Sequence, residues 1–404
     1  MDIEKDSTFP STPISSTIIT QRLRPPSLQV QKYINETLTE MLHQLSLQDP
    51  DSQPAITLKR RSRKSTNTFF VDLSSGALES TETETTATYT WPGKDGYEAW
   101  RFSLALCILK AICKAVNAGL VVSKRDIFYS DPVLFQSQQV VDILVDDFAL
   151  TMGVDRAELC VEAAAKGLVT GHYQLTATTG EIIDIWSSTK ECLIPRVEHI
   201  SQIDISDVKW VLILEKEAVF RRLTQNNFHT RAAAGKGILI TGKGYPDLET
   251  RAFIRKILDS VPPLPSRSSS YTVPKFQALV DGDPDGMSIM STYKYGSMAH
   301  TRENSRLNIP CLRWLGLRMS DVVEGSQLGS DEALITLSRR DRRKIVSMLS
   351  KSPIWAADGP EGEWRVELQR MLMLNVKAEI EIEYDRVGGL EGWLDREMGR
   401  KEQG

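Results

Sequence analysis

From Val208 onward the chain alternates short apolar runs with segments of helical period, and this alternation limits the fold more than any other feature. Trp210–Leu214, Gly237–Thr241 and Phe276–Val280 have the length and composition of strands. Glu217–Thr224 and Leu248–Leu258 have the spacing of helices. Such strand–helix–strand order predicts an α/β architecture, a mainly parallel sheet with helices on its faces. Further along, Arg339–Leu349, Glu363–Glu379 and Leu390–Met398 predict more helices, and no internal repeat is visible.

In an open α/β sheet, ligands collect beyond the carboxyl ends of the strands. Glu215 directly follows one predicted strand, and Asp281 and Asp283, in Asp281-Gly282-Asp283-Pro284, directly follow another. If those strands are parallel neighbours, three carboxylates converge at one edge. Oxygen ligands without His or Cys favour Mg²⁺, which keeps some waters and takes phosphate oxygens as further ligands. Asp285 lies on the same turn. The alternative is a pair of ordinary strand-end turns, where Asp and Gly are common. Gly237–Gly244 nearly matches a phosphate-binding P-loop, but it lacks the Ser or Thr that would hold Mg²⁺, and its loop positions form an apolar strand. No ATP site is therefore expected. Gly242–Pro246 is expected to form either a flexible basic turn beside the metal, with Lys243 placed to meet a phosphate, or a plain turn.

The first 95 residues are of another kind. Serine and threonine are dense, as in Ser7–Thr20 and Ser80–Thr86, and such a composition buries too little apolar surface to offset chain entropy. A mostly disordered tail over residues 1–95 is expected, interrupted by one amphipathic helix at about 28–47. There Val30, Tyr33, Ile34, Leu38, Met41, Leu42 and Leu45 follow helical spacing, either to pack on the chain's own domain or to enter a partner's groove. The basic run Lys59–Lys64 suits a nuclear import signal or a nucleic-acid backbone contact, or simply a solvated linker. Order is expected from Trp91. Helices over Tyr97–Leu120, Asp131–Leu150 and Arg156–Ala165, then short strands at Gly167–Val169 and Ile182–Ile185, suggest a winged-helix domain of the catabolite-activator type over residues 96–200.

Composition narrows the function classes. At 404 residues there is room for two or three domains, and a net charge of −4 leaves any polyanion contact to local basic patches. The five cysteines and five histidines are scattered without zinc-ligand spacing, which argues for reduced thiols and against a zinc site or a Ser-His-Asp triad. No apolar stretch approaches the roughly 20 residues of a membrane span, and Met1–Pro10 is polar, so neither membrane nor secretory signal is expected.

One pentapeptide completes the constellation. Arg125-Asp126-Ile127-Phe128-Tyr129 places an arginine four residues before a tyrosine, on one face of a predicted helix, with Asp126 able to orient the arginine. A free phenol is a poor nucleophile at neutral pH, and a nearby cation favours the phenolate while neutralising charge on a phosphoryl group. On those five residues alone, a half-buried tyrosine beside an ordinary ion pair is the better fit.

The chain resembles the family that contains the eukaryotic meiotic double-strand-break protein and the A subunit of archaeal topoisomerase VI, over about Tyr97 to Met398. The resemblance rests on Lys124–Asp131 (KRDIFYSD), Lys166–Gly171 (KGLVTG), Leu214–Leu223 (LEKEAVFRRL), Thr241–Asp247 (TGKGYPD), Val280–Asp283, Met290–Ser297 (MSTYKYGS), Arg313–Gly316 (RWLG) and Glu363–Glu379. It implies a Toprim α/β domain over residues 205–404, with Glu215, Asp281 and Asp283 as Mg²⁺ ligands. It makes Tyr129 the nucleophile joined to a 5′ DNA end, supported by Arg125, and Lys166, Lys243 and Tyr245 candidates for touching DNA. Many members carry two adjacent tyrosines in the first motif; Phe128 replaces the first here, and Asp285 stands where relatives often have histidine. The long tail fits the eukaryotic branch.

The implied activity is cleavage of double-stranded DNA through a phosphotyrosyl intermediate, starting meiotic recombination in the nucleus. One tyrosine per chain implies a homodimer, in which each tyrosine works against the partner copy's metal site. The implied partners are other meiotic break factors and a topoisomerase VI B-like subunit. The rivals are a type IIB A subunit that relaxes or decatenates DNA, a Toprim nuclease that hydrolyses DNA with activated water, and a non-cleaving DNA-binding scaffold of the same fold.

Overall fold

The structure, a computed structural model, describes residues 27–47, 52–61, 69–81, 84–162, 166–185, 191–263, 272–298, 301–325 and 334–399. It contains two compact units, each with its own hydrophobic core. The first comprises the chain through Arg60 together with Thr85–Glu162; the second comprises Arg61–Glu84 and the chain from Ala163 onward. Among the described residues no helix is long and apolar enough to cross a membrane.

The first unit is helical around the long helix Gly96–Ala118. Asp95 caps its N-terminus by accepting the Glu98 amide, and Gly119 at φ 61° closes the other end in the left-handed conformation that favours glycine. The expected helix Asp131–Leu150 is two pieces, Pro132–Phe135 and Gln138–Met152, because Gln136 adopts φ 60° and Ser137 begins anew as a cap. The expected Arg156–Ala165 helix is a 3₁₀ turn, Arg156–Leu159, followed by the strand Val161–Glu162, which pairs in parallel with Val122–Ser123; residues 163–165 lie outside the described residues.

The expected disordered tail needs correction where it is described. The helix Leu28–Ser46 packs by Val30, Ile34 and Met41, with Tyr33 edge-on to Phe148. The strand Ala55–Arg61 pairs with Glu84–Thr90, burying Ile56, Leu58 and Tyr89. Threonine was the misleading signal: it dilutes the apolar content of a segment, yet it is β-branched and favours strands. Arg60 of the basic run is a structural residue, its Nε bonding the buried Asp147 carboxylate at 3.1 Å. Ser7–Thr20 and residues 62–64 lie outside the described residues.

The second unit is built on a six-stranded sheet. Its order is Cys192–Leu193, Leu168–Gly171, Gly237–Thr241, Trp210–Leu214, Lys275–Leu279 and Arg313–Gly316. The last four run parallel to one another, and the first two join antiparallel. The boundary expected at residue 200 therefore falls at about 162: Leu168–Gly171, buried throughout, belongs to this sheet and not to a wing. Gln174–Ala177, Ile182–Asp184 and Ile200–Asp204 form a separate antiparallel sheet in the same unit.

A hairpin from the expected tail, Phe69–Val71 with Leu78–Ser80, also belongs to the second unit. Ser74, Ser75 and Gly76 are its turn: the Asp72 carboxylate accepts from both serine hydroxyls and is held down to about 2 by them. The Leu78 amide donates to the Tyr295 carbonyl at 2.8 Å, and the fully buried Asn304 donates to the Leu78 carbonyl at 2.8 Å. Asn304 also accepts from the Ser297 amide and from Arg251. Asn304→Ala removes all of these bonds and is expected to destabilise the second unit by about 1–3 kcal/mol. Urea unfolding and hydrogen exchange over residues 69–80 measure this, and unchanged protection of the hairpin would contradict the anchoring role.

Candidate active site

Tyr129 sits on a short, firmly held helix. Lys124–Ser130 starts with a capping box in which Ser123 Oγ accepts the Asp126 amide (3.0 Å) and Asp126 Oδ2 accepts the Ser123 amide (3.2 Å). Asp126 thus caps the helix and does not orient Arg125. Ile127 is buried in the core, and the Lys124 ammonium lies 3.5 Å from Asp142 and 3.4 Å from Asp146, tying this helix to Gln138–Met152. The Phe128 ring packs at 61° to the Tyr129 ring. Tyr129 itself is 68% exposed, and its hydroxyl has no hydrogen-bond partner among the described residues. Arg125, one turn earlier, is exposed too. A rigid helix that displays an unpartnered phenol is a poor use of a tyrosine for packing and a good one for chemistry.

The carboxylates lie in the second unit. Trp210–Leu214 and Lys275–Leu279 pair directly, in parallel, with Leu214 opposite Leu279. Both strands end at the same level, so Glu215 and Asp281 leave the sheet together, and Glu215 Oε2 accepts the Asp281 amide at 3.0 Å. Asp283 caps the helix Pro284–Lys294 by accepting the Gly286 amide at 2.7 Å, with Pro284 in the first turn. Gly286 is required there: a Cβ would lie 2.5 Å from the Asp281 carbonyl oxygen and 3.0 Å from Glu215 Oε2.

Burial, then the neighbouring Asp281 charge, pushes Glu215 up to about 8. Burial pushes Asp281 up to about 6 against the pull of Lys216, and Asp283 is also raised by burial. Two lysines already answer this concentration of negative charge. Lys216 Nζ lies 3.1 Å from Asp281, 3.1 Å from Glu379 and 2.6 Å from Glu381. Lys377 Nζ lies 3.8 Å from Asp283 and 3.2 Å from Asp341. Among the described residues no three His, Cys, Asp or Glu side chains stand in ready metal-ligand geometry. The donor set nevertheless fits a hard divalent cation, being all-oxygen and largely withdrawn from solvent.

The lysines and Glu379 and Glu381 were missed as site residues. Glu363–Glu379 was expected to be helical throughout, but the helix stops at Leu374, Asn375 turns at φ 57°, and Val376–Ala378 is a strand. Gly282 and Ala378 exchange amide–carbonyl bonds at 2.9 and 3.1 Å, and the Ile380 amide donates to Asp281 Oδ1 at 2.9 Å. The signal available was the Asn375-Val376 breaker, followed by alternating charge in Lys377-Ala378-Glu379.

The expected DNA-contact residues meet beside this edge. The turn after Gly237–Thr241 is pinned by the Gly244 amide on the Glu215 carbonyl at 2.9 Å, so it is not the flexible turn expected. Lys243 Nζ lies 3.2 Å from Glu217, and Lys166 Nζ donates to the Lys243 carbonyl at 3.1 Å. The Tyr245 hydroxyl accepts from Lys344 at 2.9 Å, and Lys344 also pairs with Asp285. Asp285 is therefore a partner of Lys344.

Comparison with known proteins places these features. The family model for the Toprim domain shared by Spo11 and the topoisomerase 6 A subunit matches residues 210–385, and a type IIB DNA topoisomerase model matches residues 100–161. The chain is 36% identical over 284 residues to the human meiotic recombination protein SPO11, covering 70% of this chain and 67% of that protein. It is 35% identical over 355 residues to the Schizosaccharomyces pombe meiotic recombination protein rec12, covering 87% and 90%. Similarity to the DNA topoisomerase 6 A subunit of Arabidopsis thaliana is 31% over 276 residues, covering 68% and 60%. The chain belongs to the Spo11/topoisomerase 6A family. In this family member the Toprim match contains Glu215, Asp281, Asp283 and both lysines, and the type IIB match contains Arg125 and Tyr129.

Two outcomes follow from the acidic edge. Gly286→Ala should retain the fold but weaken divalent-cation binding at least several-fold, read by terbium luminescence, because the added methyl displaces Asp281 and Glu215; unchanged affinity would contradict the close approach. Glu215 and Asp281 hold protons more tightly folded than unfolded, so their contribution to stability is fully present below the ordinary carboxylate range and is lost as pH rises. In the metal-free chain the urea midpoint should therefore fall from about pH 4.5 to about pH 8, and Glu215→Gln should flatten that fall. A wild-type profile no steeper than the variant's would refute it.

Proposed function

We propose that this chain is a nuclear, DNA-cleaving transesterase that makes the double-strand breaks opening meiotic recombination. Membership of the Spo11/topoisomerase 6A family supports the reaction class, and the meiotic recombination relatives support the setting. The observation that carries the chemistry is the exposed, unpartnered Tyr129 hydroxyl on its capped helix.

Tyr129 Oη attacks a backbone phosphorus in line. A phosphorus–oxygen bond to the phenol forms as the bond to the 3′ oxygen breaks; that oxygen leaves with the electron pair and takes up a proton, and the phenolic proton passes to solvent. The product is a 5′-phosphotyrosyl ester and a free 3′ hydroxyl, one ester exchanged for another, so no nucleotide is consumed. Arg125 lies one helical turn before Tyr129 and lends positive charge to the non-bridging oxygens. Glu215, Asp281 and Asp283 are the residues that would hold the divalent cation, for which Mg²⁺ suits the hard oxygen set. Bound there, it would neutralise charge on the phosphate. Lys216 and Lys377 hold the carboxylates in place and balance their charge.

The helical unit serves as the winged-helix-type DNA-docking domain, with Ala55–Arg61 and Glu84–Thr90 as its strand pair. One tyrosine cuts one strand, so a duplex break takes two copies, each tyrosine acting with the acids of the other. The exposed leucines Leu38, Leu42 and Leu45 on the first helix offer a stripe to a B-type partner. Tyr129→Phe should remove both DNA cleavage and the covalent DNA–protein adduct while leaving the unfolding midpoint unchanged, since the hydroxyl bonds nothing among the described residues. Adduct recovery and break mapping check this. Breaks that persist in that variant would point to hydrolysis by metal-activated water.

A further inference from the structure

The helix Arg339–Lys351 opens with Arg339, Arg340, Arg342, Arg343 and Lys344 around a single acid, Asp341. This is the wrong sign for its position. The first turn of a helix carries the positive end of the macrodipole, and the three arginines there, with two more cations just behind them, oppose it. The helix forms because Ser338 and Asp341 make a full capping box, at 3.1 and 3.0 Å, and because Ile345 and Met348 bury its inner face. Stability thus explains Asp341 and the apolar positions, but not the arginines.

Their placement is also specific. At 100° per residue, Arg339 and Arg343 lie one above the other, Arg340 and Lys344 form the adjacent row, and Arg342 points away and bonds Asn375. Arg339, Arg340 and Arg343 are exposed, and no ion pair or hydrogen bond to their side chains occurs among the described residues. Lys344 continues the stripe over the half-exposed Tyr245 ring, 5.5 Å from its centroid. The stripe starts beside the acidic edge: Asp341, flanked by Arg340 and Arg342, is bridged by Lys377 to Asp283 at 3.2 and 3.8 Å. A positive surface within one side chain's reach of a buried carboxylate cluster separates attraction for a polyanion from the acids that would repel it.

We propose that Arg339, Arg340 and Arg343 form a phosphate-gripping surface that holds the backbone of duplex DNA alongside the acidic edge. Guanidinium groups on a rigid helix take phosphate oxygens bidentately, and contacts of this type fix position without reading sequence. The inference rests on the DNA-cleaving reading and adds to it the face of the second unit that the duplex follows.

The test uses the full-length chain and a fluorescent duplex of about 25 base pairs, with anisotropy measured as salt is varied. Arg339→Ala/Arg340→Ala/Arg343→Ala should weaken binding similarly for unrelated sequences and lower the slope of log K against log salt by about 2–3. The corresponding triple Lys variant, which keeps the charge, should retain most of the slope, and terbium binding should match wild type in both. Normal wild-type binding with an unchanged slope in the Ala variant would overturn the surface alone. A wild-type chain without salt-dependent duplex binding would overturn the DNA-cleaving reading as well.

Discussion

The in-register parallel pairing of Trp210–Leu214 with Lys275–Leu279 is the constraint from which the acidic site follows. Because the two strands stop at the same level, the residues after them must leave the sheet together, and each exit carries an acid. The surrounding helix start then closes the space: Asp283 caps Pro284–Lys294, and Gly286 lets that first turn come within contact of both Glu215 and Asp281. Carboxylates packed this tightly hold their protons well above the ordinary range, which is an energetic cost to the fold. A protein that keeps such an arrangement gains something other than stability from it.

Positive charge supplied by the chain makes the arrangement tolerable. Lys216, next to Glu215, faces Asp281, Glu379 and Glu381; Lys377 faces Asp283 and Asp341. Both lysines join the sheet edge to the segment around Val376–Ala378, so that C-terminal stretch is a wall of the site and not an appended bundle. The same wall seats the start of the arginine-rich helix. Acids inside, lysines between and arginines outside form a graded charge profile over one face of the second unit.

The tyrosine obeys the opposite logic. Its helix is short and held by buried or capped residues, while the phenol projects unpartnered. In the proposed reaction, rigidity there would reduce the entropy lost when a substrate phosphate is positioned. Much of this was legible in the residues alone. The strand–acid pattern located Glu215, Asp281 and Asp283, and the Arg125–Tyr129 spacing located the helix. The lysine clips were not legible, since a lysine 163 residues from its acid leaves no local mark. The strands at Ala55–Arg61 and Glu84–Thr90 and the hairpin at Phe69–Ser80 were hidden because threonine and serine lower hydropathy whether they sit in strands, turns or disorder.

By itself the sequence determined the alternation of strands and helices, the acids at strand ends, the helix bearing Tyr129 and the family to which the chain belongs. These are local or motif-level properties, set by periodicity, capping and residue identity within a few positions. Only the tertiary structure decided which strands are neighbours, that Leu168–Gly171 joins the second unit, and that residues 376–381 return to the acidic edge. Those outcomes depend on pairing between segments far apart in the chain, where the free energy comes from burial and charge compensation that neither segment carries alone.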